Sequence, residues 1–288
     1  MKKTVLFLAT VLLISGAAAF SFQDFMDRFQ SEFQQEEGEV GIVQLSGNIV
    51  PEASGFSAGI TPQDIRDLNQ KAEEQNVDAI IYEINSGGGA VVASKDLKRN
   101  IDAVDVPTVC RFRDVGASGA YLAALGCDSI VADSASITGS IGVTSSYIEF
   151  SDLMDDIGVS YVNITAGDRK ELNSPFQEPT EEQKEVLANK SQLIGDEFLT
   201  EVSEGRNLTA EQEERVGTGE IFLGSEAEEL GLVDSLGGRT AAIDEAENLT
   251  NMNLQPVRVQ RTPEFNLLSL FFGGLEIGAG NSPLEAVI

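Results

Sequence analysis

One serine lies among small residues in Gly116-Ala117-Ser118-Gly119-Ala120, where an apolar run gives way to a helical pattern. At such a strand-to-helix turn the hydroxyl stands at a helix N-terminus, where the aligned peptide dipoles favour developing negative charge. Its small neighbours leave room for a substrate backbone. The same pattern also describes an ordinary serine N-cap. A nucleophilic serine needs a base, and the chain contains no histidine. A Ser-His-Asp triad, a Cys-His pair and a histidine-ligated zinc are therefore excluded within it. A desolvated lysine can serve instead, because burial lowers its pKa toward neutrality. Of the eight lysines, Lys2 and Lys3 open the chain, and Lys71, Lys95, Lys98, Lys184 and Lys190 lie on polar helical stretches. Lys170 follows directly on an apolar run, in Ala166-Gly167-Asp168-Arg169-Lys170. A solvated loop lysine is the plainer reading of that position.

A second candidate is the turn Asn85-Ser86-Gly87-Gly88-Gly89. It lacks the Lys-Ser/Thr of a P-loop and the spacing of a dinucleotide fingerprint. Three consecutive glycines do permit a backbone whose N–H groups point outward, as an oxyanion hole requires. A tight turn joining two elements would look the same.

The elements that must position these residues alternate. Strands are expected at Val40–Leu45, Val77–Ile84, Val106–Phe112, Ser129–Ala132 and Val159–Thr165, with a short one at Ile141–Val143. Helices are expected from Thr61-Pro62, over 90–103, and from Ser118 through Leu125. Two capping boxes open further helices: Thr180 to Gln183, running to about Val202, and Thr209 to Gln212. Strands alternating with helices imply parallel βαβ units. No internal repeat is visible.

The chain has 288 residues, 42% hydrophobic and 23% charged, enough for one substantial core. Its formal net charge of −28 repels phosphate, which excludes nucleic-acid partners. The carboxylates are spread along the chain, as on an anionic surface kept soluble in concentrated salt. Cys110 and Cys127 show no metal spacing. They are expected to be small buried apolar residues, with a disulfide between them as the alternative.

Lys2 and Lys3, the apolar run Val5 to Ile14 and the Ala17-Ala18-Ala19 end read as a secretory signal. The uncharged stretch from Thr4 to Gln23 is also long enough to span a bilayer uncut. Phe22, Phe25, Phe29 and Phe33 then recur at helical spacing in an acidic amphipathic helix. The expected organisation is a signal or anchor over 1–20, an amphipathic segment over 21–38, a catalytic domain over 39–262 and a tail over 263–288.

Several motifs in order resemble the signal peptide peptidase A family, serine peptidases of the Clp protease/crotonase-like fold. These are Ile84-Asn85-Ser86-Gly87-Gly88-Gly89, Ala117-Ser118-Gly119-Ala120-Tyr121, Thr138-Gly139-Ser140-Ile141-Gly142-Val143 and Gly167-Asp168-Arg169-Lys170 with Ser174-Pro175. Gly224-Ser225-Glu226-Ala227 and Gly231-Leu232-Val233-Asp234-Ser235-Leu236-Gly237 follow as a closing signature. The resemblance covers about residues 39–240. It implies an α/β fold of repeated ββα/βαβ units. It implies Ser118 as nucleophile, Lys170 as general base and Ser140 as the group orienting the lysine amine. The amide of Gly119 and one from Gly88 or Gly89 would form the oxyanion hole. Where the family has proline this chain has Gly87, which leaves open which glycine amide points inward.

The resemblance further implies amide hydrolysis without metal or nucleotide, acting on signal-peptide remnants and other short extended peptides. It implies a ring-like homo-oligomer associated with the membrane; the N-terminal signal or anchor is what places the remaining chain outside the cytoplasm, or secretes it after cleavage. Because the base must be uncharged, activity is expected to fall toward acid. Two other readings compete: a crotonase-type acyl-CoA hydratase or isomerase, and an inactive membrane scaffold of the same fold.

Overall fold

The computed structural model describes residues 36–53, 59–167 and 169–260. The signal or anchor and the tail expected at the two ends lie outside these residues, as does the amphipathic segment up to residue 35. The first strand already begins at Glu37.

Three apolar runs become the middle of a parallel sheet: β1 (Glu37–Ser46), β2 (Ala79–Ser86) and β3 (Thr108–Ala117). All but one residue of β2 is buried. A parallel strand covered on both faces reads as such an unbroken apolar run. Ile80, Tyr82 and Ile84 point to the larger core, and Ala79 and Ile81 to a smaller one on the opposite face. β3 divides its partners. Val109 to Phe112 pair with β4 (Ser129–Ala132), whereas Val115 to Ala117 pair with β5 (Ile137–Gly139). β6 (Ile221–Leu223) adds antiparallel to β5, and β7 (Ser235–Leu236) pairs parallel with β4. β8 (Asn253–Arg258) closes the other side against β1.

The helices follow their expected caps. α1 (Pro62–Glu74) starts at a Thr61 capping box with proline in its first turn. α2 (Val91–Asp102) follows the glycine turn, and α3 (Gly119–Ala124) follows Ser118. α4 (Ser151–Asp156) buries none of its residues. The Thr180 and Thr209 capping boxes open α5 (Glu181–Arg206) and α6 (Ala210–Val216). α7 (Gly224–Glu229) follows β6. α8 (Arg239–Thr250) covers the smaller core through Ala242 and Ala246.

Three expectations are corrected. Val159–Thr165 forms no strand: no sheet edge reaches it within the described residues, and Val162 and Ile164 are 78% and 94% exposed. The short strand near residue 141 is instead Ile137–Gly139, which the end of β3 recruits as a partner. Cys110 and Cys127 are joined in a disulfide across 5.8 Å between Cα atoms. Cys110 is buried as expected, but β3 and the end of α3 bring the two thiols together. Among the described residues, no helix is long and apolar enough to cross a membrane.

Candidate active site

The site forms where β3 ends. Ser118 stands between β3 and α3 with φ 52° and ψ −125°, and its side chain makes no capping hydrogen bond. A non-glycine residue at positive φ costs energy that the surroundings must hold in place. They do so here by two backbone bonds: the Ser118 N–H donates to the Gly139 carbonyl at 2.8 Å, and its carbonyl accepts from the Leu122 N–H at 3.0 Å. The N-cap reading therefore fails, and the hydroxyl is left for other work.

The glycine turn packs against this elbow. A Cβ on Gly88 (φ 96°) would come within 2.5 Å of the Gly119 amide nitrogen, so glycine is required by both space and conformation. A Cβ on Gly119 would come within 2.3 Å of Ser94 Oγ and 3.2 Å of the Gly89 nitrogen. The Gly88 N–H donates to Ser86 Oγ at 3.1 Å, which gives that amide an internal partner. The Ile49 N–H donates to the Gly88 carbonyl at 2.9 Å and holds the turn's outer side. Gly87 has no atom near its Cβ position.

β5 carries the third element. The Thr138 hydroxyl donates to the Gly116 carbonyl at 2.7 Å, aligning β5 with the end of β3. Ser140 follows at φ 51°, its N–H donating to the Glu220 carbonyl at 2.7 Å. Ser118, Gly119, Gly89 and Ser140 line one cavity of 630 Å³, roofed by α5. The expected nucleophile, its orienting serine and two of the three expected oxyanion glycines thus come together.

Lys170 does not join them within one chain. It is exposed and lines a separate hollow with Gly167 and Thr180. The segment around it is open as well: residues 155–165 are all exposed, held by local contacts such as Tyr161 against Phe176. The lysine that does line the Ser118 cavity is Lys95, which sequence reasoning left on a polar helix face. Its Nζ pairs with Glu197 at 2.5 Å and Glu201 at 3.5 Å, which commits the amine to α5. No cluster of three or more His, Cys, Asp or Glu able to hold a metal occurs among the described residues.

The chain belongs to Peptidase family S49: the family's profile matches residues 101–253. A protein of Methanocaldococcus jannaschii, provisionally named a protease, is 33% identical over 204 residues, 68% of this chain and 66% of that protein. One of Enterococcus faecium, provisionally named signal peptide peptidase SppA, is 32% identical over 212 residues, 70% of this chain and 62% of that protein. The chain thus spans under two thirds of the length of either relative. A solved membrane-bound stomatin-specific protease, 1510-N, shares the fold. Its lysine-to-alanine mutant in complex with a substrate peptide superposes with TM-score 0.53 at 14% identity, covering 82% of this chain and 99% of that one.

Proposed function

From membership in family S49, we propose that this chain is a serine endopeptidase with a Ser118–Lys170 dyad completed between subunits. The observation that carries the reading is Ser118 itself: a strained, uncapped hydroxyl in a cavity shared with the Gly89 region, Gly119 and Ser140. In the proposed reaction the neutral Lys170 amine takes the Ser118 proton as the oxygen attacks the scissile carbonyl. The amides of Gly119 and Gly89 receive the oxyanion, each donor contributing about 2.7–4 kcal/mol. Gly89 is preferred to Gly88 because the Gly88 N–H is already given to Ser86. Protonated Lys170 then passes its proton to the leaving amine, and water activated by the same lysine releases the acyl group. Ser140 orients the amine.

Exposure of Lys170 in the single chain supports delivery from a neighbouring subunit. The segment that carries it also exposes Ile148, Leu153, Ile157, Val162 and Ile164, an apolar surface of the kind that assembly covers. The assembly is a homo-oligomer that encloses short extended peptides, remnants of signal peptides among them. The Cys110–Cys127 disulfide supports an oxidising compartment, consistent with a domain held outside the cytoplasm by the N-terminal segment.

The test is complementation. Ser118→Ala and Lys170→Ala are each expected to abolish peptide cleavage, and mixing the two after dissociation and reassembly to restore part of it. Two inactive variants that stay inactive when co-assembled would place the dyad within one subunit. Full activity in either single variant would refute the dyad.

A further inference from the structure

α5 keeps a glycine, Gly195, in its interior, where glycine is among the least favourable helical residues. The usual reasons for such a residue are absent. Gly195 is not among the positive-φ positions, and no atom lies within 4 Å of where its Cβ would be. Gly205, in the same helix, sits in its last turn, where the cost is smaller. The empty space beside Gly195 belongs to the Ser118 cavity. Ser191 and Ala188, one and two turns earlier, line the same cavity, so one stripe of the roof, beside Gln192, is kept small. Opposite it lie Leu122 and Ile141, both buried and apolar, and Phe198 of α5 lines the cavity beside them.

The helix is not free to move and fill the gap. Lys95 binds Glu197 at 2.5 Å and Lys98 binds Glu201 at 2.8 Å, tying α5 to α2 two and six residues beyond Gly195. Phe198 anchors the next turn in the core. The charged groups nearest the pocket are already satisfied: Asp196 accepts from the Gln192 side chain at 2.6 Å. What is left over is a small-roofed, apolar-floored space beside the nucleophile.

We infer that Gly195 sets the size of the pocket that takes the side chain of the residue whose carbonyl Ser118 attacks. The missing side chain there admits a large apolar group, leucine or phenylalanine, where a bulkier residue would admit only alanine. This inference rests on the peptidase reading and deepens it to a substrate class.

The experiment uses the full chain and three fluorogenic peptides that differ only in the residue before the cut: alanine, leucine or phenylalanine. Wild type is expected to prefer the leucine and phenylalanine peptides. Gly195→Leu is expected to lower their kcat/KM by about 10–200-fold while the alanine peptide stays within about threefold. Gly195→Ala is expected to raise Tm, because the helix gains, and to shift the preference partway. An equal loss across the three peptides, or an unchanged preference in both variants, overturns the inference. Failure of the peptidase reading appears elsewhere, as undiminished turnover by Ser118→Ala. The pocket is then read by binding of the uncleaved peptides. Preference for the phenylalanine peptide in Ser118→Ala, lost in Ser118→Ala/Gly195→Leu, upholds it. Equal affinities, or no binding, overturn it.

Discussion

Ser118 shows how a turn can leave a hydroxyl uncapped, as the proposed nucleophile requires. Its positive φ turns the hydroxyl away from the capping position, and bonds to Gly139 and Leu122 hold the turn. The same geometry makes its neighbours small, since a side chain at Gly88 or Gly119 would strike the elbow or Ser94. Gly119→Ala is therefore expected to lose most activity, because the new methyl meets Ser94 Oγ and displaces a proposed oxyanion donor. A variant with wild-type kcat would remove that amide from the mechanism. The proposed base is tested by the form of its charge. Lys170→Arg keeps a cation that cannot be deprotonated, so cleavage should fall by about 10²–10⁴-fold. Near-normal cleavage by that variant would show that Lys170 serves only as a positive charge.

At the level of elements, a buried ionic cluster secures the sheet face opposite the site. Glu83 on β2 is 0% exposed and accepts from Arg239 at 2.9 and 2.5 Å, from Arg111 at 2.8 Å and from Gln44 at 3.3 Å. It thereby ties the start of α8 to β1, β2 and β3. Burial alone would raise the Glu83 carboxyl, but the bonds from Arg239 and Gln44 and the charges of Arg239 and Arg111 outweigh it and hold it at about 2. A carboxylate depressed in the folded state stabilises the fold above its unfolded pKa of about 4.5 and stops doing so as pH falls through about 2. Acid unfolding should thus steepen over that interval in wild type and be shallower in Glu83→Gln. That variant should also lose about 3 kcal/mol at neutral pH, since two arginines keep their charge without it. Equal urea midpoints for the two proteins would show that the cluster contributes nothing net. The disulfide pins β3 to the turn that follows α3, and β3 and α3 are the two elements that flank Ser118. Its loop of 17 residues predicts about 3 kcal/mol of stability in the chain-entropy account. Cys110→Ala/Cys127→Ala, compared with wild type by thermal unfolding, checks it.

The molecule as a whole combines strong self-repulsion with an uncovered apolar segment. A formal charge of −28 on a chain with 19 basic residues favours expansion at low ionic strength, and salt screens it. Tm is accordingly expected to rise as salt is raised from 0.1 M toward 1 M, where the Debye length shrinks from about 10 to 3 Å. A flat or falling Tm would mean that the carboxylates are too well separated to matter. The exposed segment makes a different prediction. Val162→Asp/Ile164→Asp changes two side chains that touch no core, so the subunit should fold as before. It should sediment as a smaller species and lose peptide cleavage. An active double variant that sediments as a monomer would break the proposed link between assembly and the dyad.

Much of this protein is decided locally and was legible in the residue string. The alternation of strands and helices, the capping boxes of Thr61, Thr180 and Thr209, and the elbow of small residues around Ser118 depend on neighbours within a few positions. The absence of histidine narrowed the chemistry before any fold was known. Other features needed the folded chain, because they join residues far apart in sequence. β3 splits its pairing between β4 and β5, which puts Ser140 in the cavity of Ser118. The packing of β3 against α3 brings Cys110 to Cys127, and α5 swings back over α2 to bring Gly195 into the cavity of Ser118. Apolar alternation suggested a strand at Val159–Thr165, but a strand also needs an edge to pair with, and the described chain offers it none. The exposure of Lys170 has the same origin: periodicity along the chain reports which face could be buried, whereas burial itself requires a partner surface, here one that a single subunit does not supply.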